Sequence, residues 1–290
     1  MILWKHACPQ CCLPGDIIAA RAFAADSMHV ADARTCPAES GHTIQAHRLT
    51  STAIEVVQCL HLPSPAPAMH LRHLLLPCLD PDLSLRFYRE VLQLPQHGNS
   101  IRIGWSSLEC VQAQQPVGSV HLAFNVAPSR FDAAAQWISE RSKLLADPHG
   151  RRQFQLDGVW QSRSVYFAGP DGAVLELIAR RAVQDVATGD GAFHGDELLC
   201  VSEIGLPSND VAVVTSSVAH HFGVRPFAPA LEGFAALGDD DGLLIVVDQA
   251  RRWFPQQRQL PWASGVRVSV DAPQPGLRLR DAQGWELLAA

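Results

Sequence analysis

No apolar run in this sequence approaches the ~20 consecutive residues that a bilayer-spanning helix needs. Basic residues are also in deficit: 23 Lys and Arg against 29 Asp and Glu leave a formal net charge of −6. Without a basic stripe or face there is no electrostatic footprint for nucleic acid. A small molecule is the expected partner, rather than nucleic acid or a membrane. The N-terminus lacks the charged, apolar and small-residue series of a secretory signal, since Pro14, Gly15, Asp16 and Arg21 interrupt the run from Cys12 to Ala25. Eight cysteines in 290 residues are too few for a disulfide scaffold, and five of them precede residue 60. These features point to the cytoplasm and reduced thiols. The 47% of hydrophobic residues suffices for one large domain or two ordinary ones.

Residues 1–68 show no sustained hydrophobic period and end in Leu62-Pro63-Ser64-Pro65-Ala66-Pro67. A poorly ordered extension is expected there, with the folded part beginning at Met69. His6, Cys8, Cys11 and Cys12 include a Cys-x2-Cys zinc spacing, but no second tight ligand pair completes a site.

From residue 69 a pattern repeats. Leu71–Cys78 reads as a strand. Asp80-Pro81 then supplies a helix cap and a first-turn proline, and Leu83, Phe87, Val91 and Leu94 follow at helical spacing. Short strands around Ile101–Trp105 and Leu108–Val111 close the unit. A second unit opens with Val120–Val126, where His121, Ala123 and Asn125 alternate with apolar neighbours. Ser129 to Asp132 has capping-box spacing before a helix that buries Phe131, Ala135 and Ile138. Strands Ser164–Ala168 and Val174–Ala179 follow, joined by a turn at Pro170-Asp171-Gly172. A third unit starts at Val201, where Pro207 and Asp210 match Pro77 and Asp80; its helix carries Val214, Val218 and Phe222 and stops at Gly223. A fourth, shortened unit runs from Val266 to the end. Four copies of one supersecondary unit, two per domain, are expected.

These residues resemble the vicinal-oxygen-chelate superfamily, which includes glyoxalases, bleomycin-resistance proteins and extradiol dioxygenases. The resemblance rests on His73-Leu74-Leu75-Leu76 with Asp80 and Phe87-Tyr88, on Val120–Val126, and on Tyr166–Leu177 with its Gly169-Pro170-Asp171-Gly172 turn. It implies an α+β fold of tandem βαβββ modules forming two domains with cup-shaped mixed sheets. The expected boundaries are 69–180 for a metal-binding domain of two units, 181–197 for a linker and 198–290 for a degenerate second domain. That second domain would buttress the first cup, cover a sheet edge or make a dimer contact.

His121 and Glu176 each point away from the apolar face of their strand, and His73 alternates with Leu74 and Leu76. Two imidazoles and one carboxylate on neighbouring strands make a facial triad with open positions. Such a set suits Fe2+, Mn2+, Ni2+, Co2+ or Zn2+. Singly, each residue reads as a satisfied core histidine or a rim carboxylate; jointly, at equivalent points of repeated units, they read as metal ligands. Glu109 occupies the first unit's version of the Glu176 position. Resemblance to glyoxalase I implies it as a fourth ligand, with Glu176 or Glu109 acting as catalytic base. In the matching positions 198–290 offers Glu203, Ile245, Val266 and Glu286; lacking an imidazole, it is not expected to hold a metal. His220-His221 is read as surface, and Arg251-Arg252-Trp253-Phe254-Pro255 as an aromatic stretch that packs between domains or closes the cleft. Three functions remain open: a glyoxalase-like isomerase or lyase, a ring-cleaving dioxygenase, and a non-catalytic binder of an antibiotic or other flat ligand.

Overall fold

Period-two alternation marks the strands, and aspartate caps open the helices of the first and third units. The computed structural model describes residues 43–48, 55–60, 68–185 and 191–290. β1 (Thr43–Arg48) and β2 (Glu55–Leu60) pair antiparallel and belong to a contact unit of their own, Met1–Ala66. The leader's lack of period gave no hint of this strand pair. His6, Cys8, Cys11 and Cys12 lie outside the described residues.

All four expected units are found in the second contact unit. The first comprises β3 (Leu71–Cys78), α1 (Pro81–Arg86), β4 (Gln96–His97), β5 (Ser100–Ile103) and β6 (Ser106–Gln112). The second comprises β7 (His121–Asn125), α2 (Phe131–Ser139), β8 (Leu144–Leu145), β9 (Gln153–Leu156), β10 (Ser162–Ala168) and β11 (Val174–Arg180). The third has β12 (Cys200–Ser208), α3 (Val211–Phe222), β13 (Phe234–Asp239) and β14 (Gly242–Asp248). The fourth has β15 (Arg267–Val270), β16 (Arg278–Arg280) and β17 (Glu286–Ala289), without a helix.

Local signals account for the helix ends. Asp80 and Asp210 each accept a hydrogen bond from the backbone N–H three residues on, at 2.9 and 3.0 Å, and Gly223 ends α3 in the left-handed region at φ 68°. Two details differ from expectation. The inward residues around α1 are Leu85, Tyr88 and Leu92, while Leu83 is exposed. Both sets satisfy helical spacing, so periodicity alone does not choose between them; a π-helical turn at Phe87–Val91 carries the buried set onward. The capping box at Ser129 does not form. The chain enters α2 through a 3-10 turn at Pro128–Arg130, so Ser129 donates to Asp185 and Asp132 pairs with Arg163.

The units join into two mixed sheets. One has the order β13-β14-β12-β7-β11-β10-β8, with β9 also on β10; the other has the order β16-β17-β15-β3-β6-β5-β4. In each, two first strands pair antiparallel at the centre, β12 with β7 and β15 with β3. The second unit therefore shares a sheet with the third, and the first with the fourth. The reading that placed units one and two around one cup is corrected here. Every unit begins with a similar strand, so each first strand fits any of the others as antiparallel partner, and the repeat by itself does not select among them.

In the β7-containing sheet, alternate side chains divide into two layers. Leu122, Phe124, Leu175, Leu177, Ile204, Leu206, Leu244 and Val246 enter the main core. Val174, Leu243, Ile245 and Val247 face the opposite way and cluster with Trp253. The polar residues interleaved on that second face form the site.

Candidate metal centre

His121 on β7, Glu176 on β11 and Glu203 on β12 converge from three adjacent strands. One ligand-competent atom from each lies within 4.8 Å of the other two, and all three residues are buried. His121 Nε2 is 3.4 Å from Glu203 Oε2 and 3.6 Å from Glu176 Oε2. His121 Nδ1 donates to the Val174 carbonyl at 3.0 Å. That bond fixes the ring and assigns the Nδ1 proton, because a carbonyl only accepts. In the neutral tautomer the Nε2 lone pair then faces two carboxylate oxygens. Only a proton or a cation between them makes that arrangement favourable.

The neighbours separate the two carboxylates. Burial, then the Glu203 charge, pushes Glu176 up to about 8. Burial would also raise Glu203, but the Arg180 charge and the His121 hydrogen bond outweigh it and hold that carboxyl below its ordinary range. Arg180, fully buried, donates to Glu203 Oε1 and leaves Oε2 on the His121 side. Its guanidinium packs beside the Trp160 and Phe227 rings, 5.8 and 5.7 Å from their centroids. His121 is raised above its ordinary value: burial opposes this, but the Glu203 bond and both carboxylate charges prevail. Tyr166 sits opposite Glu176 in register on the neighbouring strand.

Trp253 roofs the site. Its ring centroid is 5.3 Å from that of His121, and Nε1 donates to the Ser119 carbonyl at 2.9 Å. Gly205 on β12 makes room for it, since a Cβ there would lie 2.4 Å from the indole. The three ligand-competent residues line one side of a cavity of about 1010 Å3.

Of the residues expected to act together, the structure brings His121 and Glu176 into one site and leaves His73 and Glu109 on the other sheet. There His73 Nε2 is 3.3 Å from Glu109 Oε2, and His73 Nδ1 bonds to Ser107 at 2.9 Å. The physical reason is the strand order: β3 pairs with β15 and β6, not with β7. Glu203 takes the place expected of His73, and equivalence of the repeats makes that legible: both open the first strand of a unit. Dismissing the third unit for want of an imidazole concealed it. Arg180 and Trp253 also belong to the site, so of the two roles open to 251–255, packing and closing the cleft, Trp253 takes the second. His220 and His221 are exposed, as expected.

The donor set fits a divalent cation. With both carboxylates ionised, one neutral imidazole nitrogen and two carboxylates, part of whose charge Arg180 neutralises, make a net negative donor set opening onto a cavity.

Comparison with solved structures decides the family of folds. A putative dioxygenase from Bacillus subtilis aligns over 77% of this chain and 85% of its own, with a TM-score of 0.50 and 12% identity. This is the vicinal-oxygen-chelate fold. Glyoxalase I from Zea mays aligns over 77% of this chain and 92% of its own, with a TM-score of 0.48 and 15% identity. Oxidase ChaP-H1 is 31% identical over 40% of this chain and 98% of its own, with a TM-score of 0.33. No protein-family model and no curated protein matches the chain. Within this fold, the sheet shared by the second and third units carries the His121–Glu176–Glu203 cluster. Among the described residues, no helix is long and apolar enough to cross a membrane.

Proposed function

We propose that this chain is a divalent-metal-dependent enzyme acting on a substrate with neighbouring oxygens, with His121, Glu176 and Glu203 as the metal ligands. The observation that carries this reading is the Nε2 of His121 aimed at two buried carboxylates, with its Nδ1 already committed to Val174. A bound divalent ion would act as a Lewis acid that polarises the substrate oxygens. The ion is one of Fe2+, Mn2+, Ni2+, Co2+ or Zn2+.

The chain's own groups divide the remaining work. Arg180 keeps Glu203 ionised and oriented. Glu176, beside Tyr166 on the neighbouring strand, is the carboxylate that would take up and return a proton through an Oε atom not engaged with the ion. His121 holds its Nδ1 proton throughout. Trp253 and the neighbouring aromatic rings exclude water from this corner. With Glu109 on the other sheet, the feature that had favoured a four-ligand glyoxalase-like set is gone. An isomerase or lyase and a ring-cleaving oxygenase both remain compatible with the donor set.

Metal analysis of purified protein tests the reading. The expected result is one divalent ion per chain, lost in His121→Ala and Glu203→Gln and retained in His73→Ala. Incubating the Fe2+ form with catechols in air, and the Ni2+ form with hemithioacetals, separates the two chemistries. Absence of metal under every loading condition would refute the enzyme reading and favour a binder of flat ligands.

A further inference from the structure

The cavity above the His121–Glu176–Glu203 cluster has features that the metal ligands do not explain. At about 1010 Å3 it lies at the top of the ~300–1,000 Å3 range of small-molecule sites, far more than a two- or three-carbon substrate fills. Six aromatic side chains line it: Phe154, Trp160, Tyr166, Phe234, Trp253 and Phe254. They are already braced against one another. The Phe254 ring is 4.7 Å from Phe154 and 5.2 Å from Tyr166, and Trp160 is 6.3 Å from Phe234. Rigid aromatic walls favour a flat aromatic guest, which gains contact area without having to order the site.

Charge is distributed unevenly along the cavity. Among the described residues, its only carboxylates are Glu176 and Glu203 at the candidate metal cluster, whereas Arg151, Arg251 and Arg252 line it from exposed positions. Arg151 is paired with Asp147 at 2.7 Å. Arg251 and Arg252 donate to the backbone carbonyls of Glu232 and Arg258, and neither meets a carboxylate among the described residues. Two guanidinium charges at the mouth therefore await an acidic group.

We infer that the cup takes a planar, multi-ring phenolic anion. Its neighbouring oxygens lie at the His121–Glu176–Glu203 cluster, its rings between the aromatic walls, and an acidic substituent at Arg251 and Arg252. Only the placement of the oxygens rests on the metal reading; the ring and charge preferences stand on the walls and the mouth.

Isothermal titration calorimetry on the full chain tests this with four probes: 6,7-dihydroxynaphthalene-2-sulfonate, 2,3-dihydroxynaphthalene, 3,4-dihydroxybenzenesulfonate and catechol. The two-ring sulfonate should bind about tenfold more tightly than either the uncharged two-ring diol or the one-ring sulfonate. Replacing both exposed arginines, Arg251→Gln with Arg252→Gln, should abolish the sulfonate advantage and leave the affinity for 2,3-dihydroxynaphthalene unchanged. Running each titration in Mn2+ and in EDTA separates the two ideas. If the ring and sulfonate preferences persist while Mn2+ adds nothing, the metal reading fails and this inference stands. Equal affinity for all four probes, no binding by any of them, or a sulfonate preference that survives the double substitution would overturn it.

Discussion

At His121, one hydrogen bond determines what the ring can do. With Nδ1 donating to Val174, Nε2 is the only nitrogen left for chemistry, and it faces Glu176 and Glu203. The cost of that arrangement without a cation is measurable as pH-dependent stability. In protein stripped with EDTA, folded Glu176 holds its proton up to about 8, whereas unfolded it releases it near 4.5. The folded chain thus binds more protons than the unfolded chain across that window, and stability falls as pH rises through it. His121, raised above 6.5, adds a decline of the same sign above that value. Glu203, lowered, acts in the opposite sense, and its contribution is lost only as pH falls below about 4.5. The expected Tm of the stripped protein is therefore lower at pH 8.5 than at pH 5.5, and Glu176→Gln should remove most of that decline. A flat profile in the unsubstituted protein would contradict the assignment. Gly205 offers a steric counterpart. A methyl group there would meet the Trp253 ring and His121 Cβ, at 2.4 and 3.1 Å. Gly205→Ala should destabilise by ~1–3 kcal/mol and shift the intrinsic fluorescence as the indole moves.

Elements were the most legible part of the sequence, and their limits follow from what a local pattern encodes. Asp80 and Asp210 announced their helices, and Gly223 announced an end, because capping is decided within one turn. Asp210→Ala should cost about 1 kcal/mol, read from chemical denaturation, with no change in metal content. Leu83 was misassigned because two residue sets share helical spacing around α1, and burial against β3 and β6 chose between them. Ser129 failed as a cap because the preceding Pro128 begins a 3-10 turn that takes in the serine itself. The alternation in β7 and β11 placed His121 and Glu176 on one face correctly. It could not show that Glu203, two strands from β11, would be the third member, since strand order is a long-range property.

On the scale of the whole molecule, four similar units make two sheets, and the pairing of units decides which side chains meet. Units two and three collect His121, Glu176 and Glu203 under Trp253. Units one and four leave His73 with Glu109 alone, while Glu286 is taken by Arg267, Arg278 and Arg280. The same repeated pattern thus supports one cation-competent cup and one whose polar residues, among those described, largely satisfy each other. The most direct measurement is the anomalous difference map of a crystal of the full chain soaked in Mn2+. The account predicts one strong peak within coordinating distance of His121 Nε2 and both Glu176 and Glu203. A peak at His73 and Glu109 instead, or no peak at the three-residue cluster, would contradict it.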